Sequence, residues 1–132
     1  MSENQNRFIN PEGLWRSTGY SHIVETRASR TLYFAGQVAV DEQGNIVAPG
    51  DMAGQVAQIF DNMQKMLASV NASLADIVKL TYFVSDLSQV QAIRDARPRY
   101  FPDNLPASTV IGISLLRPEI VVEIEAIAAL YD

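Results

Sequence analysis

The sequence contains no cysteine and only one histidine. That excludes disulfide frameworks and thiol catalysis, and one histidine cannot build a multi-histidine metal centre within one chain. Positive charge is also scarce. Ten Lys and Arg face fifteen Asp and Glu, for a net charge of -5 and a pI near 4.7. Such a balance disfavours general nucleic-acid binding, which depends on neutralising phosphates, although a local basic cleft stays open. No apolar run reaches the ~20 residues that a membrane span needs. The opening stretch, MSENQNRFINPEGLWRS, has no apolar segment of the signal-peptide kind. The expectation is a soluble cytoplasmic protein with neither nucleic acid nor membrane as partner. Phosphate-binding glycine loops, HExxH, GxSxG and EF-hand loops are absent as well.

What is present suits a single domain. The chain has 132 residues, a mass of 14.6 kDa and 48% hydrophobic residues. Folding a chain of this size removes roughly two thirds of its extended surface from water, so a core forms without staples. We read residues 1–132 as one domain, with 1–7 as a loose N-terminal arm. No internal repeat, linker or low-complexity tract interrupts it.

Periodicity places the elements. A short strand is expected near Arg7–Asn10, before the Pro11–Gly13 turn, and another over His22–Thr26. Thr31–Val40 is a stronger strand, interrupted by Gly36, which signals a bulge or a close approach. Asp41–Gly50 reads as a hairpin-like turn and loop, after which Asp51 can cap a helix. In that helix Met52, Val56, Ile59, Phe60, Met63, Met66, Leu67 and Val70 form one apolar stripe, with Gln58, Asp61, Asn62 and Lys65 opposite. Ile77–Ser85 is a second strong strand. Ser88 then begins a second helix, with Gln91 completing a capping box and Pro98 weakening its late part. Val90, Ile93, Tyr100 and Phe101 are placed towards the core.

Strands near Ser108–Ser114 and Ile120–Ala128 close the chain. In the last, Ile120, Val122, Ile124 and Ala126 share one face, and Val121, Glu123, Glu125 and Ile127 the other. The order β(β)β–α–β–α–β–β is an α+β pattern, a mixed sheet with two helices packed on one face.

Several residues invite chemistry, each beside a plainer role. Glu123 and Glu125 form either a charged sheet rim with ion pairs across an interface, or a shielded carboxylate that positions water or passes a proton. Arg94 and Arg97 share a helix side, suited to an anion, a neighbouring subunit or plain solvent. His22 reads as structural more readily than as a proton carrier. Tyr20 and Trp15, near Gly19, offer aromatic walls for a pocket, Trp15 being the weaker candidate. Ser108-Thr109 lacks a visible base for hydrolase chemistry.

The separated segments GYSHIV (19–24), YFAGQVAVD (33–41), DIVKLTYFVSDL (76–87), PAST (106–109) and VEIEAIA (122–128), with Gln55 and Asn62 in the helix, resemble the RidA/YjgF family of reactive-intermediate deaminases over roughly residues 12–130. The resemblance implies a chorismate-mutase-like α+β fold, a homotrimer built around a central barrel, and small-molecule ligands in clefts between subunits. It implies hydrolysis of amino-acid-derived imines and enamines to 2-oxo acids and ammonia, with no cofactor and no metal. Glu123 would align the water, Tyr20 would orient the ligand, and the Gly36 backbone would lie against it. The family's carboxylate-binding arginine after Pro-Ala is here Ser108. Ser108 and Thr109 then offer only neutral hydroxyls, and Arg94 is the candidate replacement. The usual serine before Gly36 is Ala35. The expected function is deaminase-like hydrolysis of a small imine, enamine or related metabolite other than a standard 2-imino acid. The competing expectations are a non-catalytic trimeric small-molecule-binding or regulatory protein, and a protein-interaction role.

Overall fold

The structure is a computed structural model that describes residues 5–131. Among these residues the strands and α-helices are β1 (Arg7–Ile9), β2 (Ile23–Glu25), β3 (Arg30–Gln37), α1 (Met52–Ala68), β4 (Ile77–Val84), α2 (Gln91–Tyr100), β5 (Ala107–Gly112) and β6 (Val122–Leu130). β1 and β2 make a small antiparallel ribbon, while the main sheet has the order β3-β6-β4-β5. β6 runs antiparallel to β3 and β4, and β4 and β5 run parallel. A parallel neighbour needs a crossover, which α2 supplies between β4 and β5. The result is the expected α+β fold with a mixed sheet and two helices. Among the described residues, no helix is long and apolar enough to cross a membrane.

The alternation within strands explains why one sheet face is covered. In β4, Leu80, Tyr82 and Val84 are buried, and in β6 Val122, Ile124, Ala126 and Ala128 are buried with them. They meet Met52, Val56, Ile59, Phe60, Met63 and Leu67 of α1, so the stripe seen in the sequence is the core seam. Lys79, Thr81 and Phe83 point the other way, registered with Ile127, Glu125 and Glu123. Among the described residues, no helix packs on this outer face.

One buried side chain breaks the apolar pattern with purpose. Gln55 is fully buried in α1. Its Nε2 donates to the carbonyls of Ala48 (3.0 Å) and Glu119 (2.8 Å), and its Oε1 accepts from the Val121 amide at 3.0 Å. It fastens the entry to α1 and the entry to β6 to one point.

Several local expectations are corrected. Residues 1–4 of the expected arm lie outside the described residues, but Asn6 is buried, with its Nδ2 3.4 Å from the Ala129 carbonyl, and Arg7 already belongs to β1. Asp51 is the residue before α1, yet its side chain makes no capping bond; Gln89 Oε1 accepts from the Met52 amide at 2.9 Å instead. Ser88 does not cap α2. Asp86 accepts from the Ser88 amide at 3.0 Å and caps a short 3-10 turn, Leu87–Gln89, before α2 starts at Gln91. That network holds the Asp86 carboxyl below its ordinary range, through Gln89 first and then Ser88. Asn62, opposite the stripe as expected, donates from Nδ2 to the Val40 carbonyl at 3.0 Å. Val121 precedes β6 and is buried, so it does not share the Glu123 face.

Candidate functional site

Gly36 sits where β3 departs from regular pairing. Phe34 registers with Ala126 and Gln37 with Ile124, so Ala35 and Gly36 together oppose the single residue Glu125. This bulge swings the Gly36 backbone towards Glu123, one strand over. A Cβ built at Gly36 would collide with Glu123 Oε2 and lie 3.1 Å from its Cδ. The missing side chain is what lets the carboxylate lie against the strand. Glu123 is half-buried and Glu125 exposed, both on the helix-free face.

A separate groove of about 1000 Å³ opens between α2, the edge strand β5 and residues 15–20. Tyr20, Arg94 and Ser108 line it together; Gly36, Thr109 and Glu123 do not. Strand alternation separates Ser108 from Thr109. Thr109 faces the outer side, where its Oγ1 accepts from Lys79 Nζ at 3.1 Å. The expected site residues therefore fall into two groups, a groove group and an outer-face group around Glu123.

The segment lining the groove is held by local bonds rather than by regular structure. The Ser21 amide donates to the Pro106 carbonyl at 3.2 Å, placing Tyr20 beside the start of β5. His22 Nε2 donates to the Trp15 carbonyl at 2.7 Å, and the rings of Tyr20 and His22 meet edge to face at 5.3 Å. The lone histidine is a brace for this segment.

Arg97 also lines the groove, with Arg16 and Trp15. Arg97 is half-buried and Arg94 exposed. The Arg97 guanidinium carbon lies 5.6 Å from the centre of the Tyr82 ring. Burial raises the Tyr82 hydroxyl above its usual 10.0, and the charge and hydrogen bond of Arg97 act against that rise. The i, i+3 spacing of Arg94 and Arg97 was a visible signal for a shared side, but which of the two is enclosed depends on how α2 seats on the sheet. Among the described residues no cluster of three or more His, Asp or Glu is arranged to hold a metal ion.

Comparison with known proteins agrees with this architecture. The Endoribonuclease L-PSP family model matches residues 14–130. The chain is 29% identical over 109 residues to a RutC family protein of Pyrococcus horikoshii, covering 83% of this chain and 85% of that one. It is 28% identical to the 2-iminobutanoate/2-iminopropanoate deaminase of Dermatophagoides farinae, covering 84% of this chain and 85% of that one. The crystal structure of the Rid family protein YyfB from Yersinia pestis, described as of unknown function, superposes with a TM-score of 0.87 at 36% identity, covering 95% of this chain and 98% of that one. The chain therefore belongs to the endoribonuclease L-PSP family, the RidA/YjgF proteins.

Proposed function

We propose that the protein is a cofactor-independent hydrolytic deaminase acting on a small imine, enamine or related metabolite, in a site completed between subunits of a homotrimer. The observation that carries this reading is the division of the candidate residues. Tyr20, Arg94 and Ser108 line one groove, while Glu123 lies against Gly36 on a sheet face that no helix covers. A single chain thus presents two partial sites. Packing the outer face of one subunit against another gives the half-buried Phe83 and Ile127 apolar cover and can bring the carboxylate to a neighbour's groove. The deaminase names of the relatives from Dermatophagoides farinae and Acinetobacter baylyi support the reaction class.

The chemistry needs little. An imine carbon is already electrophilic. Glu123 accepts a proton from water as the water oxygen bonds to that carbon, and the C=N electron pair passes to nitrogen, which takes up a proton. That proton comes back from Glu123; as the carbinolamine collapses, its hydroxyl proton passes to the nitrogen, C=O forms and the C–N bond breaks, releasing ammonia. Tyr20 supplies an aromatic wall with a polar tip, and Ser108 a neutral hydroxyl to the ligand.

The test is oxo-acid release from freshly generated imino acids, 2-iminopropanoate and bulkier ones, by parent protein and Glu123→Gln. Acceleration lost about a hundredfold or more in Glu123→Gln supports the reading. Equal rates in both, or no acceleration of any imine by a folded trimer, would leave the non-catalytic binding role.

A further inference from the structure

On the hydrolytic reading above, the groove must hold the substrate's charged end without the arginine that Ser108 replaces. We propose that Arg97, rather than Arg94, anchors a carboxylate there, and that the occupant is an organic acid with an apolar body larger than a three-carbon chain.

The groove contradicts the chain's overall charge. The protein is acidic at -5. Yet Arg16, Arg94 and Arg97 line this groove, with Asp103 as its one acidic lining residue. Local charge of that sign selects an anion.

Among the three, Arg97 is the one held in place. Its guanidinium lies between Gly19 and the Tyr82 ring. A Cβ on Gly19 would collide with Nη1 and lie 3.1 Å from Cζ, and the Tyr82 ring centre is 5.6 Å away. A fork fixed in this way loses less freedom when it binds a planar carboxylate. Among the described residues no carboxylate pairs with Arg97, so a half-buried cation remains to be matched. Arg94 is exposed, and its Nη1 donates to its own helix neighbour Gln91 Oε1 at 3.3 Å.

The groove also has an apolar wall. Leu87 is 61% exposed and Trp15 80% exposed, and Val90 and Leu105 continue the wall. In the single chain the groove measures about 1000 Å³, at the upper end for small-molecule sites before a neighbouring subunit takes its share. A three-carbon acid would leave most of that apolar surface wet, whereas a branched or aromatic side chain would cover it.

Trp15 is the single tryptophan, so its fluorescence reports on this groove. The experiment titrates the full-length protein with 4-methyl-2-oxopentanoate, its methyl ester, and pyruvate, and repeats this with Arg97→Gln, Arg97→Lys, Arg94→Gln and Gly19→Ala. We expect saturable quenching by the branched acid, with pyruvate and the ester each binding at least tenfold more weakly. Arg97→Gln and Gly19→Ala should abolish the preference for acid over ester. Arg97→Lys, which retains charge and stem, should keep part of it, and Arg94→Gln should weaken the acid less than Arg97→Gln does while keeping the preference for acid over ester. Discrimination of acid from ester is a readout that loss of packing alone does not produce. An ester that binds as tightly as the acid, or an Arg97→Gln protein that keeps the preference, overturns the anchor even if imine hydrolysis proceeds. Acid-selective binding that needs Arg97 supports it even if no imine is hydrolysed.

Discussion

Gly36 leaves the space that the Glu123 carboxylate fills. A methyl group on Gly36 would collide with Glu123 Oε2, so the two positions are coupled through the β3 bulge. Gly36→Ala should turn the carboxylate away without disturbing the core, because Gly36 is exposed on the outer face. Misplacement of about 1 Å costs a catalytic group as much as a hundredfold. The expected outcome is a fall of about ten- to a hundredfold in kcat/KM for imine hydrolysis, with an unchanged far-ultraviolet spectrum. Unchanged turnover would show that Glu123 does not act from this position.

Gln55 makes the second prediction, one of stability. Three bonds from one buried side chain join Ala48, Glu119 and Val121. Gln55→Leu keeps volume but leaves two carbonyls and one buried amide without their partner. Stranded polar groups of this kind cost about 1–3 kcal/mol each, less where water reaches them. Urea unfolding should show a loss of about 2–4 kcal/mol. Because the bonds hold the start of β6, the entry to Glu123, activity should fall before the protein unfolds.

The fold was largely legible because its signals are local periods. The Met52-to-Leu67 stripe has helical spacing, and Val122, Ile124 and Ala126 alternate with Glu123 and Glu125, so each pattern names its own core face. Gln55 was legible only as a residue of the resemblance; a polar residue inside an apolar stripe carries no local sign of three distant backbone partners. The cap of α1 was misread because Gln89, which supplies it, lies 37 positions away. Likewise Ser108 and Thr109 are adjacent in sequence and opposite in space, a consequence of β5 being a strand at both positions. Arg97 depended on tertiary seating, since helical spacing gives the shared side of Arg94 and Arg97 but not which one meets Tyr82.

Tyr82 predicts a pH dependence. Burial raises its hydroxyl above the ordinary 10.0, opposed in part by Arg97. The folded protein therefore holds this proton more tightly than the unfolded chain does. The associated stability is fully present below the unfolded value and is lost as pH rises from there through the raised folded value. Urea midpoints measured at pH 8 and about pH 11 should fall more steeply for the parent than for Tyr82→Phe, which has no proton to lose. An equal fall in both would mean that another group governs the alkaline limb.

Ser108 provides a gain-of-function test. It is half-buried in the groove, on the strand face that also presents Val110. Ser108→Arg would add a fourth guanidinium to the groove of about 1000 Å³. If the parent's anion contact lies at Arg97, the new arginine supplies a competing carboxylate position at the start of β5. Short 2-imino acids, which cannot fill the apolar wall of Trp15 and Leu87, gain most from that nearer contact. Oxo-acid release from 2-iminopropanoate should rise at least tenfold in kcat/KM, and the branched substrate should gain less or lose. The repelling neighbour Arg97 sets the size of the effect, so Ser108→Arg combined with Arg97→Gln should favour the short substrate further. A Ser108→Arg protein that folds, assembles and shows the parent's substrate ratio would place the reacting ligand away from β5.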